Sequence, residues 1–115
     1  MRKYKSKKCY CAAHHLHDSK KEARRCDVLH LLEKMGGISE LKTQQKFELI
    51  PAQKFDNPTI EDERSCSYIA DFTYFKDGVF VIEDTKGYKT PDYVIKRKLV
   101  KQKYCAGKNV IFVET

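Results

Sequence analysis

The sequence has no long apolar run, no internal repeat and no segment rich in proline, glycine or serine. Because a helix that spans a bilayer needs roughly 18 apolar residues, we expect the chain neither to cross a membrane nor to carry a secretory signal. The absence of biased segments also argues against a linker or a low-complexity protein. A chain of 115 residues is instead expected to fold as one domain with its own hydrophobic core.

Cysteine occurs in an odd number, and its pattern does not favour a disulfide framework. Two of the five cysteines, Cys26 and Cys105, fall in helix-like segments rather than in loops. We therefore predict a reducing, cytoplasmic setting for the protein.

The net charge of +7 is unevenly distributed along the chain. Residues 1–25 contain nine lysines and arginines against two acidic residues, and residues 86–108 contain eight against one. The segment between them, residues 26–85, has six basic residues against twelve acidic ones. Two basic flanks around an acidic centre indicate a polyanionic partner, with cations intervening between it and the carboxylates. The alternative is that the basic segments are simply solvated surface.

The first predicted helix begins at Asp18 or Ser19 and ends at Gly36-Gly37. Ser19 and Glu22 have the S-x-x-E spacing of a capping box, and apolar residues recur at helical spacing after them. The basic residues 1–17 are predicted to form an arm, either exposed and extended or folded as a short hairpin. Residues 18–115 are expected to form the single folded domain.

Three strands, a second helix and a last strand are predicted after the first helix. Asp77-Gly78 between two runs of aromatic and β-branched residues is a strong hairpin signal, and Thr90-Pro91 is a typical helix start. The order α-β-β-β-α-β predicts an α/β protein of the α+β kind, with a mixed sheet flanked by helices. The predicted segments after the first helix are residues 43–50, 68–75, 79–85, 92–104 and 110–113.

A two-residue turn at Asp77-Gly78 sets the hairpin register so that Asp71 lies directly opposite Asp84. Opposed side chains share one face of a sheet with their Cβ atoms roughly 5 Å apart, and like charges there are destabilising. Lys86 projects from the same face as Asp84, whereas Glu83 projects from the other face. Two carboxylates and an amine at the end of a hairpin predict a site for a hard cation, Mg²⁺ or Mn²⁺.

The spacing of Asp71 and Asp84-Thr85-Lys86, on the second and third strands of this order, resembles the PD-(D/E)XK nuclease superfamily. The chain is similar, over about residues 17–113, to a family of small phage and prophage proteins predicted to be nucleases. Ala70 replaces the proline of the motif's name, and the Cys and His residues of the arm depart from the usual pattern. The matching segments are Asp18-Ser19-Lys20-Lys21-Glu22-Ala23-Arg24, Gln44 with Phe47-Glu48-Leu49, Tyr68-Ile69-Ala70-Asp71-Phe72 and Glu83-Asp84-Thr85-Lys86-Gly87.

The resemblance implies a role for each site residue. Asp71 and Asp84 would bind the metal, and Lys86 would orient or deprotonate the attacking water. Glu22 would complete the metal shell, although the same side chain can instead close the capping box. Gln44 would support the site or face solvent. The candidate DNA-binding residues, for which solvated lysines are the alternative, are Lys20, Arg24, Lys89, Lys96 and Lys103.

The predicted function is phosphodiester hydrolysis in DNA by a Mg²⁺- or Mn²⁺-dependent endonuclease in the cytoplasm of a bacterial host cell. No base-reading module is visible, so selection of branched or junction DNA is favoured, and a homodimer would suit cutting of two strands. Two alternatives are a nucleic-acid-binding module without cleavage and a zinc-stabilised interaction protein built on the arm. The zinc-capable residues of the arm are Cys9, Cys11, His14, His15 and His17.

Overall fold

The computed structural model describes residues 9–11, 16–17 and 19–115. The predicted order α-β-β-β-α-β is confirmed, preceded by two short strands. None of the helices in the described segments is long and apolar enough to cross a membrane. The elements in chain order are β1 Cys9–Tyr10, β2 Leu16–His17, α1 Lys20–Lys34, β3 Ser39–Ile50, β4 Cys66–Lys76, β5 Val79–Asp84, α2 Pro91–Val100, a π-helical segment Lys101–Cys105 and β6 Val110–Glu114.

The main sheet has the strand order β3-β4-β5-β6, and the prediction of a mixed sheet is confirmed. Strands β3, β4 and β5 form an antiparallel meander, whereas β6 runs parallel to β5 after the crossover through α2. A parallel pair needs such a crossover connection, because a short hairpin can join only antiparallel strands.

The turn of the β4–β5 hairpin has the geometry that its sequence predicts. Asp77 and Gly78 both have positive φ angles, 52° and 79°, as a two-residue type I′ turn requires. The register runs from Lys76 opposite Val79 to Phe72 opposite Glu83. The next opposed positions along the two strands are those of Asp71 and Asp84.

Strand β3 begins four residues earlier than predicted. Its first part contains a register shift between Ser39 and Lys42, and Glu40 has a positive φ of 53°. Such a bulge interrupts the alternation of inward and outward side chains, so the start of the strand could not be seen in the sequence. The second helix also differs, because the predicted α-helix to residue 104 changes to π-helix after Val100.

Part of the predicted arm forms the short hairpin that was one of its two expected states. Strands β1 and β2 are antiparallel, with Cys9 opposite His17. The expectation of an exposed arm is wrong for Cys11, which is 4% exposed and packs in the core beside α1. Most of the proposed zinc ligands and Asp18 lie outside the described residues or have undescribed side chains.

Two hydrophobic clusters stabilise the sheet, one on the side of α1 and one on the side of α2. Strands β3 and β4 each contribute to both clusters. Leu41 and Phe72 pack in the α1 cluster, whereas Phe47 and Ala70 pack in the α2 cluster. Strict alternation would put Ala70 and Phe72 on the same face, so the strands change sides between these positions. Gln44 and Asp71 lie at this change of side.

Candidate active site

Asp71 and Asp84 are neighbours at the end of the β4–β5 hairpin, where the sequence predicts them. Asp71 is 9% exposed and Asp84 is fully buried. Their carboxyl groups lie within hydrogen-bonding reach of each other. Two buried carboxylates in contact are unfavourable while both are ionised, because burial and mutual repulsion both oppose the charged form.

The two carboxyl groups differ in how their oxygens are satisfied. Asp71 Oδ2 accepts a hydrogen bond from the Thr85 backbone N–H at 2.8 Å. Asp84 Oδ2 accepts one from the Tyr68 hydroxyl at 2.5 Å. Asp84 Oδ1 is buried and has no hydrogen-bond donor among the described residues. The contact with Asp71 supplies a donor only when one of the two carboxyl groups carries a proton.

The pair therefore holds protons more tightly than isolated carboxyl groups do. Burial raises the pKa of Asp84 to about 8, and the contact with Asp71 contributes to the increase. Burial also raises the pKa of Asp71, although its bonds to Asp84 and to the Thr85 amide oppose this. A cation between the carboxylates would replace the proton and remove the repulsion.

Lys86 lies on the same side of the strand end as Asp84, as predicted. Its Nζ is 3.6 Å from Asp84 Oδ2 and 4.6 Å from the centre of the Tyr93 ring. The Tyr93 hydroxyl in turn donates to Glu114 at 2.5 Å, which fixes the ring. With 31% of its side chain exposed, Lys86 remains accessible from solvent. An amine held by a carboxylate and an aromatic face is positioned to act on a bound water.

Glu22 and Gln44 approach the pair from α1 and β3. The Ser19 hydroxyl accepts a hydrogen bond from the Glu22 backbone N–H at 3.1 Å, which is the first half of the predicted capping box. The buried Glu22 carboxylate accepts a bond from Gln44 Nε2 at 3.1 Å. Its negative charge also contributes to the raised pKa of Asp71. Both candidate residues are thus brought to the carboxylate pair.

Gln44 has a positive φ of 55° within a strand. For a residue other than glycine this conformation costs roughly 1–2 kcal/mol, and it persists only where the surroundings require it. The register places Thr43 opposite Phe72 and Gln45 opposite Ala70, so Gln44 falls opposite Asp71. The strained residue therefore lies opposite Asp71 in the register and donates to Glu22.

The donors at the site suit a hard divalent cation. Asp71 and Asp84 supply carboxylate oxygens, and the unpartnered Asp84 Oδ1 is a free ligand position. Among the described residues, no group of three or more His, Cys, Asp or Glu side chains is arranged to hold a metal. The donor set is thus the pair, with Glu22 near enough for its charge to act on Asp71. Mg²⁺ often binds through one or two carboxylates and keeps several waters, so the residues present fit this ion.

Glu83, the residue before Asp84, points to the opposite face of the sheet, as predicted. It is fully buried and forms a bidentate ion pair with Arg25 of α1. The Tyr74 hydroxyl donates to it at 2.6 Å and the Thr115 hydroxyl at 3.2 Å. Every oxygen of this carboxylate therefore has a donor.

The five predicted DNA-binding residues do not form one group. Lys20 and Arg24 are exposed on α1. Lys89 forms an ion pair with Glu114 at 3.4 Å, and Lys103 donates to the Glu48 carbonyl at 3.0 Å. Lys96 lines a cleft of about 270 Å³ beside Lys86 and Tyr93. Of the five, Lys96 is the one that shares a cleft with Lys86.

Two residues of the site were not identified from the sequence. Tyr68 lies three residues before Asp71, and Tyr93 lies in the first turn of α2. Aromatic residues are common in strands and helix cores, so neither carried a signal beyond ordinary packing. A buried hydroxyl group usually has a hydrogen-bond partner, and both of these donate to carboxylates.

Fold and site together define a small mixed α+β protein with a buried carboxylate pair and an adjacent lysine at the end of a hairpin. A family model described as "Protein of unknown function (DUF1064)" matches residues 1–114, and the chain belongs to this family. Comparison with curated proteins found no match, and comparison with solved structures found none either. The resemblance to PD-(D/E)XK nucleases stays a prediction.

Proposed function

We propose that this protein is a Mg²⁺- or Mn²⁺-dependent DNA endonuclease of the PD-(D/E)XK type. The observation that carries the proposal is the contact between Asp71 and Asp84, with one Asp84 oxygen buried and without a donor. A purely structural carboxylate is normally satisfied by donors, as Glu83 is. A bound cation is the simplest partner for an oxygen that has none.

Each residue of the site would have its own role in hydrolysis. Asp71 and Asp84 would hold the ion, with Glu22 acting through Gln44 or as a further ligand. When bound, the ion supplies Lewis acidity toward a phosphate oxygen and lowers the pKa of a coordinated water. Lys86, next to Asp84 and partly exposed, orients the attacking water and helps to remove its proton.

The proposed substrate class is inferred from the net charge and the small size of the protein. A net charge of +7 favours a polyanion, and the basic residues of α1 and α2 flank the carboxylate pair. Within residues 19–115 the four-stranded sheet and its two helices leave no separate element for reading bases. Selection of DNA by its shape, as in branched or junction structures, is therefore favoured over a long sequence site. A homodimer would place two such sites on the two strands.

The direct test is cleavage of supercoiled plasmid, single-stranded DNA and a four-way junction with Mg²⁺, Mn²⁺ or EDTA. We expect metal-dependent products that EDTA abolishes. Lys86→Gln should lose cleavage, whereas Lys76→Gln, which removes an exposed lysine at the far end of the same hairpin, should retain it. Retained DNA binding without cleavage under every metal condition would support a non-catalytic binding module instead.

A further inference from the structure

The two edge strands of the main sheet differ in how their free edges are protected. Strand β3 has charged residues along its length and positive φ angles at Glu40 and Gln44. Charges and irregularities of this kind discourage pairing with another chain. Strand β6, at the opposite edge, has the sequence Val-Ile-Phe-Val-Glu, without a lysine, a proline or a positive φ angle. A regular, apolar edge strand such as β6 is suited to pairing with a further strand.

Strand β6 is also incompletely covered on its faces. None of its five residues is buried, although four of them are apolar. Ile111 is 49% exposed, whereas Val81, its partner on β5, is 2% exposed. In the part of the chain that the structure describes, no strand lies beyond β6. A strand added at this edge would therefore remove apolar surface from water as well as pair the backbone.

The free edge of β6 is formed by the backbone groups of every second residue. The Asn109 carbonyl accepts a hydrogen bond from the β5 backbone at 3.3 Å, and the Thr115 N–H donates one to that backbone at 2.9 Å. Successive residues of a strand direct their backbone groups to opposite sides. The backbone groups of Val110, Phe112 and Glu114 therefore point away from β5, toward the place where a further strand would lie.

A second copy of β6 can pair with this edge in an antiparallel register about a two-fold axis at Ile111. The free backbone groups of Val110 then face those of Phe112 of the partner subunit, and Ile111 lies beside its own copy. The same register brings Lys108, in the turn before β6, next to Glu114 of the partner subunit, and symmetry repeats this contact. Moving the axis to Phe112 would place Glu114 opposite Val110 and lose the contact between opposite charges.

We propose that the free edge of β6 binds β6 of a second copy, which forms a symmetric dimer with one continuous eight-stranded sheet. Each subunit has one such edge, so the assembly closes at two copies. The role of this dimer, which is to act on two DNA strands, rests on the proposed function, whereas its geometry rests on β6 alone. Glu114 also accepts the bond from Tyr93, so the interface ends beside the ring that contacts Lys86.

The first test is sedimentation velocity from about 1 µM to 1 mM protein, the range in which a small interface dissociates. We expect the parent protein to change reversibly from monomer to dimer. Ile111→Lys places two like charges at the axis and should weaken the dimer by at least about tenfold. Ile95→Lys is the matched control, because Ile95 is 59% exposed on α2, which packs against β3 and β4. It should dimerise like the parent.

Two outcomes of this experiment would overturn the interface. One is a parent protein that stays monomeric over the whole range, and the other is equal weakening of the dimer in both variants. Both replaced side chains are exposed, and circular dichroism of each variant checks that it is folded.

Cross-linking through Ile111→Cys tests the register itself. Opposed residues that do not exchange backbone bonds have Cα atoms about 4.5 Å apart, a distance that a disulfide can bridge. Oxidised glutathione should therefore give a covalent dimer with Ile111→Cys but not with Ile95→Cys or the parent, and failure to do so would overturn the register. A dimer of this kind that never cleaves DNA would disprove the proposed function alone. Cleavage by a protein that stays monomeric would disprove the interface alone.

Discussion

Glu83 and Asp84 are adjacent carboxylates, both fully buried, yet their surroundings differ completely. On the α1 side, Glu83 has an arginine and two hydroxyl groups as donors. On the α2 side, Asp84 has one hydroxyl donor, a lysine ammonium 3.6 Å away and a second carboxyl group in contact. The first arrangement gives every oxygen of the carboxylate a donor, whereas the second favours the protonated form of Asp84.

We interpret this difference as the one between a structural acid and a functional acid. A buried charge that is fully paired holds elements together, here α1 against the sheet. A buried acid left partly unsatisfied needs a proton or a cation, and such groups concentrate at functional sites. The comparison therefore predicts opposite outcomes when each acid is replaced by its amide.

The largest expected effect is the loss of cleavage in Asp84→Asn. Removal of one metal-binding carboxylate should reduce the rate of DNA cleavage by at least about a hundredfold. The metal-free protein should be as stable as the parent or more stable, because the amide can be buried beside Asp71 without taking up a proton. Cleavage rates and urea unfolding check the two parts. A marked loss of stability would mean that Asp84 is a structural acid like Glu83.

Glu83→Gln should instead destabilise the protein. Breaking a buried ion pair by removing one partner costs about 3–5 kcal/mol, and we expect about 2–3 kcal/mol because the Arg25 side chain is 30% exposed. The folded fraction should cleave DNA at the parent rate, which activity measured well below the melting temperature would show. Normal stability with lost activity would reverse the assignment of the two acids.

Tyr68→Phe tests the one hydroxyl that orients Asp84. Loss of a partner that orients a metal ligand typically lowers metal affinity by about ten- to a hundredfold, and we expect the lower end, measured by Mn²⁺ calorimetry. Tyr74→Phe is the matched control, because its hydroxyl bonds Glu83 in the same way. That variant should lose stability without changing Mn²⁺ affinity. If the Mn²⁺ affinity fell equally in both variants, the Tyr68 hydroxyl would have no specific role in orienting Asp84.

The last prediction concerns the pH dependence of stability in the absence of metal. The folded protein keeps a proton on Asp84 up to pH about 8, whereas the unfolded chain releases it near the ordinary pKa of 3.8. Stability should therefore fall as pH rises between these values, by about 1 kcal/mol per pH unit, and become constant above pH about 8. Urea unfolding from pH 5 to 9 measures this, and Asp84→Asn should remove the slope. A parent slope of opposite sign would contradict the raised pKa.

Features set by nearby residues could be predicted from the sequence. The Asp77-Gly78 turn determined the hairpin register, and the register brought Asp71 to Asp84. Ser19 and Thr90 cap their helices as their sequences indicate. Each of these features depends on a few residues that are close in the chain, so local physical rules were sufficient.

Features that depend on contacts between distant elements could not be predicted. Alternation puts Tyr68 on the same face as Phe72, away from Asp84. Its hydroxyl reaches Asp84 only because β4 changes sides at Asp71, and the accompanying strain appears at Gln44 on the neighbouring strand. The ring that holds Lys86 belongs to Tyr93 of α2, which the crossover brings back onto the sheet. No local pattern contains this information.

The central claim is that Asp84, and not Glu83, holds a divalent cation. Isothermal titration of Mn²⁺ into the parent, Asp84→Asn and Glu83→Gln proteins, at a temperature where all three are folded, tests it directly. We expect saturable binding by the parent and by Glu83→Gln, and none by Asp84→Asn. If Asp84→Asn binds Mn²⁺ as the parent does, the carboxylate pair is not the metal site and the proposed nuclease activity loses its basis.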